Sequence, residues 1–182
     1  KVTGLHNANN ALAALALACN VDLPEAPLLA ALRRFEGLPH RLQAVGTVRG
    51  VGFFDDSKGT NVGATVAALS GMSRPVVLIA GGDGKGQDFS PLRAAVKART
   101  RAVVLIGRDS ETIATALAGC VPTVRAHDME EAVRAAYARS EPGDAVLLSP
   151  ACASFDMFDS FEHRGKVFKQ EVGHKKAQKN LL

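Results

Sequence analysis

Phe53-Phe54-Asp55-Asp56-Ser57-Lys58-Gly59-Thr60-Asn61 is an apolar run that stops abruptly, gives way to acid, base and hydroxyl side chains, and is followed by apolar residues again from Val62. A strand ending in a polar loop that opens a helix is how an open α/β sheet builds its sites, just outside the carboxyl ends of its strands. The rest of the chain repeats that order.

Downstream, Val76-Val77-Leu78-Ile79-Ala80, Ala102-Val103-Val104-Leu105-Ile106 and Ala145-Val146-Leu147-Leu148 are continuous apolar runs. Runs without alternation are the pattern of parallel strands covered on both faces. Between them lie helix-patterned segments at 62–71, 91–98, 111–117 and 129–138, with a short strand near Val121 to Val124 and a last helix from Ser154 to Val172. Upstream, Leu42 to Val48 and Val51 to Phe54 read as two strands joined by a turn at Arg49-Gly50. Strands alternating with helices imply right-handed crossovers, and so predict a Rossmann-like three-layer α/β domain with a mostly parallel sheet.

The segment before this domain has a different pattern. Gly4 to Cys19 reads as an Ala- and Leu-rich helix with almost no polar face beyond its first turn, which predicts burial against something large. Pro27 suits the first turn of a second helix carrying Leu28, Leu29, Leu32 and Phe35, with Gly37 as its stop. Two helices alone cannot bury these faces. Either they pack on the following domain, or they are the end of another domain; Gly37-Leu38-Pro39-His40-Arg41 marks the break.

At 182 residues the chain is long enough for one well-buried domain. No run of about twenty apolar residues is present, so no membrane span is expected, and Lys1-Val2-Thr3-Gly4-Leu5-His6 does not read as a signal peptide. The net charge is +4, but Lys175, Lys176 and Lys179 fall in an acid-free stretch from Gly173 to Leu182, and without them the balance is +1. The basic excess is a tail property and does not predict a nucleic-acid partner. Cys19, Cys120 and Cys152 are widely spaced and odd in number, which fits reduced thiols in a cytoplasmic protein and does not support a zinc site.

Three loops follow apolar strands. In 55–61 an acid suits a ribose hydroxyl or a metal, Lys58 suits a phosphate, and a hydroxyl with free amides at a helix start suits an anion. The competing reading is an N-cap at Thr60 or Asn61, with a surface pair of acid and lysine. Gly81-Gly82-Asp83-Gly84-Lys85-Gly86-Gln87-Asp88 lets a backbone approach a ligand closely and adds the charge of Lys85. It is neither a Walker A loop nor a dinucleotide fingerprint, and the competing reading, ordinarily the favoured one, is a flexible glycine turn with an exposed Lys. In Ser149-Pro150-Ala151-Cys152-Ala153-Ser154-Phe155-Asp156, the amides and the Ser154 hydroxyl suit a carboxylate, while the competing reading makes Ser154 or Asp156 an N-cap. No spacing pairs Cys152 with His127 or His163 as a nucleophile. Phe158, Phe161, Gly165 and Phe168 form a helical stripe, more often core than binding surface, with the alternative that Phe161 covers a ligand from that edge. Together the loops put Lys58, Thr60, Lys85 and Ser154 at carboxyl strand ends of one sheet, a convergent anion site.

These motifs, with Gly4-Leu5-His6-Asn7-Ala8-Asn9-Asn10 and Gly37-Leu38-Pro39-His40-Arg41, together resemble the Mur ligases, and most closely the members that add D-glutamate. The resemblance runs from residue 4 to about 172. It implies an ATP-dependent ligase of the cytoplasmic stage of peptidoglycan synthesis, in which a carboxylate is phosphorylated and D-glutamate attacks the acyl phosphate. By the same resemblance Asn7 and Asn10 face an adenine, Arg41 and Asp56 lie near a ribose, and Lys58 faces phosphate as the catalytic residue. Thr60, Lys85, Ser154, the backbone at Phe155, and Phe161 form the D-glutamate pocket. Gly59 stands where the family often has Ala, which predicts a slightly looser loop.

The family's P-loop, carbamylated lysine, magnesium ligands and uridine-nucleotide domain are not matched. Residues 1–38 are therefore expected to end a central ATPase domain, 39–172 to form the amino-acid-binding domain, and 173–182 to be a basic tail. The implied cofactors are ATP and Mg2+, with no metal ligand in this chain. The implied partners are small-molecule substrates, the implied state is a monomer, and the chain alone is expected to be inactive. The alternatives are a non-catalytic Rossmann-like module for an anionic small molecule and a sister ligase of the amino-acid or folylpolyglutamate type.

Overall fold

The computed structural model describes residues 5–21 and 23–179. Two helices, α1 (Leu5–Cys19) and α2 (Glu25–Arg34), precede β1 (Gln43–Val48), β2 (Val51–Asp55), α3 (Val62–Gly71), β3 (Val76–Gly81), α4 (Leu92–Arg99), β4 (Thr100–Ile106), α5 (Ser110–Ala116), β5 (Thr123–Arg125), α6 (Met129–Ala138), β6 (Ala145–Leu148) and α7 (Phe161–Lys179). The expected helix start at Gly4 and residues 180–182 of the expected tail lie outside the described residues.

The strands form one sheet in the order β1-β2-β6-β3-β4-β5. Only β1 is antiparallel, joined to β2 through Arg49 and Gly50, whose φ values of 47° and 83° suit a tight two-residue hairpin turn. β6 pairs in parallel with both β2 and β3. The crossover from β2 to β3 therefore passes over the place that β6 later fills, and the carboxyl ends of β2, β6, β3 and β4 stand side by side.

The unalternating runs are buried on both faces, as parallel strands require. Val76, Leu78, Ala80, Val103, Leu105 and Leu147 pack with Leu69 of α3, Leu92 of α4 and Ile113 of α5. Their neighbours Val77, Ile79, Val104, Val146 and Leu148 pack on the other side with Phe53, Val133 of α6 and Phe168 of α7. The result is the Rossmann-like three-layer arrangement.

One expectation about the elements is corrected. The last helix begins at Phe161, not Ser154, and runs past Val172 to Lys179. Its cap is Ser160, whose hydroxyl accepts from the His163 N–H at 3.1 Å, while residues 154–158 are held as a turn by N–H groups of Met157 and Phe158 on the Ser154 carbonyl. The faces of α1 and α2 stand open in this chain: Leu12 and Leu17 are 64% and 72% exposed, and α2 has no buried residue.

Candidate functional site

The loops at the four adjacent strand ends are stitched together by their own backbones. Asp83 and Ala153 exchange two N–H···O bonds of 3.0 and 2.9 Å, which ties the loop after β3 to the loop after β6. Ala151 N–H donates to Gly59 carbonyl at 2.9 Å, tying in the loop after β2, and Asp109 N–H donates to Gly82 carbonyl at 3.0 Å. Gly82 sits at φ 130°, where a Cβ would stand 2.2 Å from the Ala153 carbonyl oxygen. At this glycine the close approach is between two loops of the protein itself.

Strain collects at the same place. Of the five non-glycine residues with positive φ among the described residues, Arg49 belongs to the hairpin turn, whereas His40, Leu42, Lys85 and Ala151 all lie in these loops or in the approach to β1. Each such residue costs about 1–3 kcal/mol, and persists where the surroundings hold it.

Within 55–61 every side chain has its own task. Asn61 is the cap of α3, its Oδ1 accepting from Ala64 N–H at 2.9 Å, so Thr60, half-buried, is released from that duty. Asp56 turns inward: Oδ1 accepts from Leu42 N–H at 3.1 Å and Oδ2 from the Ser149 hydroxyl at 2.7 Å. Burial pushes its carboxyl up to about 6, against the lowering pull of those two donors. Asp56 thereby holds the chain beside Arg41 and presents little of itself to solvent, at 8% exposure. A Cβ on Gly59 would stand 2.7 Å from Asp56 Oδ2 and 2.9 Å from Ser149 Oγ. The glycine therefore closes tightly over this pair, which corrects the expectation of a looser loop. Lys58 Nζ lies 3.9 Å from the centre of the Phe161 ring, a cation over an aromatic face at the mouth of the site.

On the opposite side of the mouth, Lys85 is exposed, Ser154 is buried at 2% exposure, and Phe155 is 71% exposed. The Asp83–Ala153 pairing fixes Lys85 two residues from one end of the stitch and Ser154 one residue from the other. Neither Ser154 nor Asp156 caps a helix: the Asp156 carboxylate accepts from Arg108 N–H at 2.8 Å. Asn7, Asn10 and Arg41 line a separate hollow of about 880 Å³ between α1, α2 and the approach to β1, with Leu28 and Phe35 on its apolar wall. The expected residues thus fall into two groups, three around this hollow and the rest at the strand ends. Among the described residues, no set of three His, Cys, Asp or Glu side chains is arranged to hold a metal ion.

Three features escaped the sequence reading. Gln87 accepts from Val62 N–H at 3.0 Å and donates to the Ala151 carbonyl at 2.7 Å, so one side chain joins three loops. His40 Nδ1 lies 2.7 Å from Asp55 Oδ2, with Lys169 Nζ 3.2 Å from the same oxygen, and the His40 ring meets Phe161 edge-on at 6.0 Å. Arg164, wholly buried on α7, donates to Ser57, Cys152 and Ala153. Their partners lie as far apart in sequence as His40 and Phe161, and no local pattern announces them. Cys152 is buried, and burial pushes its thiol up to about 12, away from the reactive thiolate form.

A mostly parallel sheet with lysines and hydroxyls on its strand-end loops is a Rossmann-like α/β domain, with those residues at the ends where open sheets of this kind bind ligands. Residues 40–152 match the model of the Mur ligase, glutamate ligase domain, and the chain belongs to that family. The UDP-N-acetylmuramoylalanine–D-glutamate ligase of Nitrosospira multiformis is 61% identical over 172 residues, which is 94% of this chain and 36% of that protein. Its counterpart in Ralstonia nicotianae is 58% identical across the whole chain and 37% of its own length. The chain therefore spans little more than a third of the curated relatives it matches. Among solved structures, a Mycobacterium tuberculosis folylpolyglutamate synthase complexed with ADP aligns with a TM-score of 0.71 at 17% identity, over 92% of this chain and 41% of that one. A murein peptide ligase from Psychrobacter arcticus aligns at 0.59 and 19% identity, over 95% and 38%. These likenesses show the shared fold.

Proposed function

We propose that the chain is the C-terminal part of an ATP-dependent ligase that joins D-glutamate to UDP-N-acetylmuramoyl-L-alanine. The observation that carries this reading is the stitched mouth bearing Lys58, Thr60, Lys85 and Ser154, in a chain about 60% identical to D-glutamate ligases. That identity favours D-glutamate over the substrates of a sister ligase.

The chemistry suits the geometry. A carboxylate resists attack by an amine; transfer of the terminal phosphoryl group of ATP to it makes an acyl phosphate, the amino group of D-glutamate attacks the carbonyl carbon, and phosphate leaves with the bonding pair. Such steps depend chiefly on positioning and on neutralising charge. Lys58 would supply a cation to the phosphates, moving off the Phe161 ring over which it rests. Lys85 would meet a D-glutamate carboxylate, with Thr60, Ser154, the amide of Phe155 and the Phe161 ring completing that pocket. The hollow beside Asn7, Asn10 and Arg41 fits an adenosine, and Asp56 holds the neighbouring backbone through Leu42. Among the described residues no set of three His, Cys, Asp or Glu side chains is arranged to hold a metal ion, and the reading assigns the Mg2+ of the reaction to the central domain.

On this reading residues 1–38 end a central ATP-binding domain, which accounts for the open faces of α1 and α2, and 39–172 form the amino-acid domain. No helix among the described residues is long and apolar enough to cross a membrane. The substrates are those of a cytoplasmic monomer working on small molecules. Calorimetry of the full-length protein, with ATP analogue and acyl substrate present, tests the reading. D-glutamate is expected to bind, L-glutamate to bind at least tenfold more weakly, and Lys85→Ala to abolish the D-glutamate signal; equal binding of both enantiomers would refute it.

A further inference from the structure

Arg164 lies in the first turn of α7 and is completely buried. Its Nε donates to Ser57 Oγ at 2.9 Å and one terminal nitrogen to the Ser57 carbonyl at 2.9 Å. The two terminal nitrogens also reach the Cys152 carbonyl at 3.1 and 3.2 Å, and one reaches the Ala153 carbonyl at 3.3 Å. Every one of these acceptors is neutral. Burial pulls the guanidinium down to about 10, so it still carries its charge at neutral pH.

A buried cation whose direct hydrogen-bond acceptors are all neutral, with the Asp55 and Asp156 carboxylates acting on it only through space, is an expensive way to fill space, and an apolar side chain of similar volume would fill it at less cost. What the guanidinium supplies that an apolar residue cannot is a rigid fork of directed donors. One arm grips Ser57, the residue before Lys58; the other grips Cys152 and Ala153, the residues before Ser154. Ser57 in turn donates its hydroxyl to the Phe161 carbonyl at 2.8 Å, so the same fork registers the start of α7, which carries the ring under Lys58.

We propose that Arg164 is a positioning residue that couples the nucleotide-side loop to the amino-acid-side loop, setting the spacing between the phosphate-facing Lys58 and the carboxylate-facing Ser154. This rests on the functional reading above. Because one side chain holds both loops, disturbing it shifts both substrates together. Loss of an ordinary packing residue lowers stability and leaves the folded enzyme's substrate constants alone.

The test uses the full-length protein, with steady-state phosphate release at varied ATP and varied D-glutamate, and a melting curve for every variant. Arg164→Met is expected to raise KM for ATP and for D-glutamate together, each by about tenfold or more, with a melting temperature near or above that of the parent. Arg164→Lys, which keeps the charge and loses the fork, is expected to fall between. Ser57→Ala removes one acceptor and leaves the fold's apolar core untouched; it is expected to raise the ATP constant more than the D-glutamate constant, and it decides the matter if Arg164→Met does not fold. A folded Arg164→Met with both constants within twofold of the parent, or with only one of them raised, overturns the coupling, as does a Ser57→Ala indistinguishable from the parent. If the unsubstituted protein releases no phosphate in response to D-glutamate, the functional reading itself fails, and the coupling falls with it before any variant is made.

Discussion

Replacing Asp56 by Asn is expected to make the fold more stable at neutral pH. Burial holds the Asp56 carboxyl at about 6 instead of 3.8. At about 1.36 kcal/mol per pH unit of displacement, keeping the ionised form inside the fold at pH 7.5 costs about 3 kcal/mol relative to the neutral form. Because the folded value lies above the unfolded one, the contribution is full below about pH 4 and is lost as pH rises through 6. An amide fits the same place. Its oxygen accepts from Leu42 N–H, its nitrogen donates to Ser149 Oγ, and the Ser149 proton turns to Thr65 Oγ1, 3.0 Å away, while Thr65 keeps its own bond to the Ser149 carbonyl. The second amide hydrogen gains no partner from this exchange, which reduces the benefit to about 1–2 kcal/mol. Thermal unfolding of parent and variant between pH 4 and 7.5 reads the effect. At 2–4 °C per kcal/mol for a chain of this size, the parent is expected to lose roughly 6–12 °C relative to the variant across that range. Parallel pH profiles, or a variant less stable than the parent at pH 7.5, would refute the reasoning.

Gln87→Leu strands the buried Val62 N–H and Ala151 carbonyl, and is expected to cost about 2–4 kcal/mol in denaturant unfolding; a loss under about 1 kcal/mol would show that the loops hold without it. In native protein an aromatic disulfide reagent is expected to label exposed Cys19 at once and Cys152 only on unfolding, since Cys152 is buried and its thiol pushed up to about 12. Rapid loss of two or more thiols including Cys152 in the native state would contradict its burial.

What the chain announces and what it conceals divide along the range of the interactions. The strands were legible because residues such as Val76 to Ala80 are apolar on both faces, and a doubly covered parallel strand leaves that mark locally. The convergence of the polar loops followed from topology once the crossovers were placed. The cap of α3 at Asn61 was half legible, because Thr60 and Asn61 offered equal chemistry and only geometry selects between them. The start of α7 was misplaced because 154–160 has helix-compatible residues, yet the bonds of Asp156 to Arg108 and of Asp83 to Ala153 hold that segment to neighbouring loops. Arg164 and Gln87 read as ordinary polar residues, since nothing near them in sequence reveals their partners on other loops. For α1 and α2 the sequence left two arrangements open, because periodicity reports that a face is apolar, not what stands against it.

The central claim is that this mouth receives D-glutamate for an acyl-phosphate reaction. Its most direct test is phosphate release by the full-length protein given ATP and UDP-N-acetylmuramoyl-L-alanine, with and without D-glutamate, for the parent and for Lys58→Met. Release that depends on D-glutamate, is not supported by L-glutamate, and falls at least a hundredfold in Lys58→Met is the predicted result. Release that proceeds equally without D-glutamate, or that survives the loss of Lys58, would contradict it.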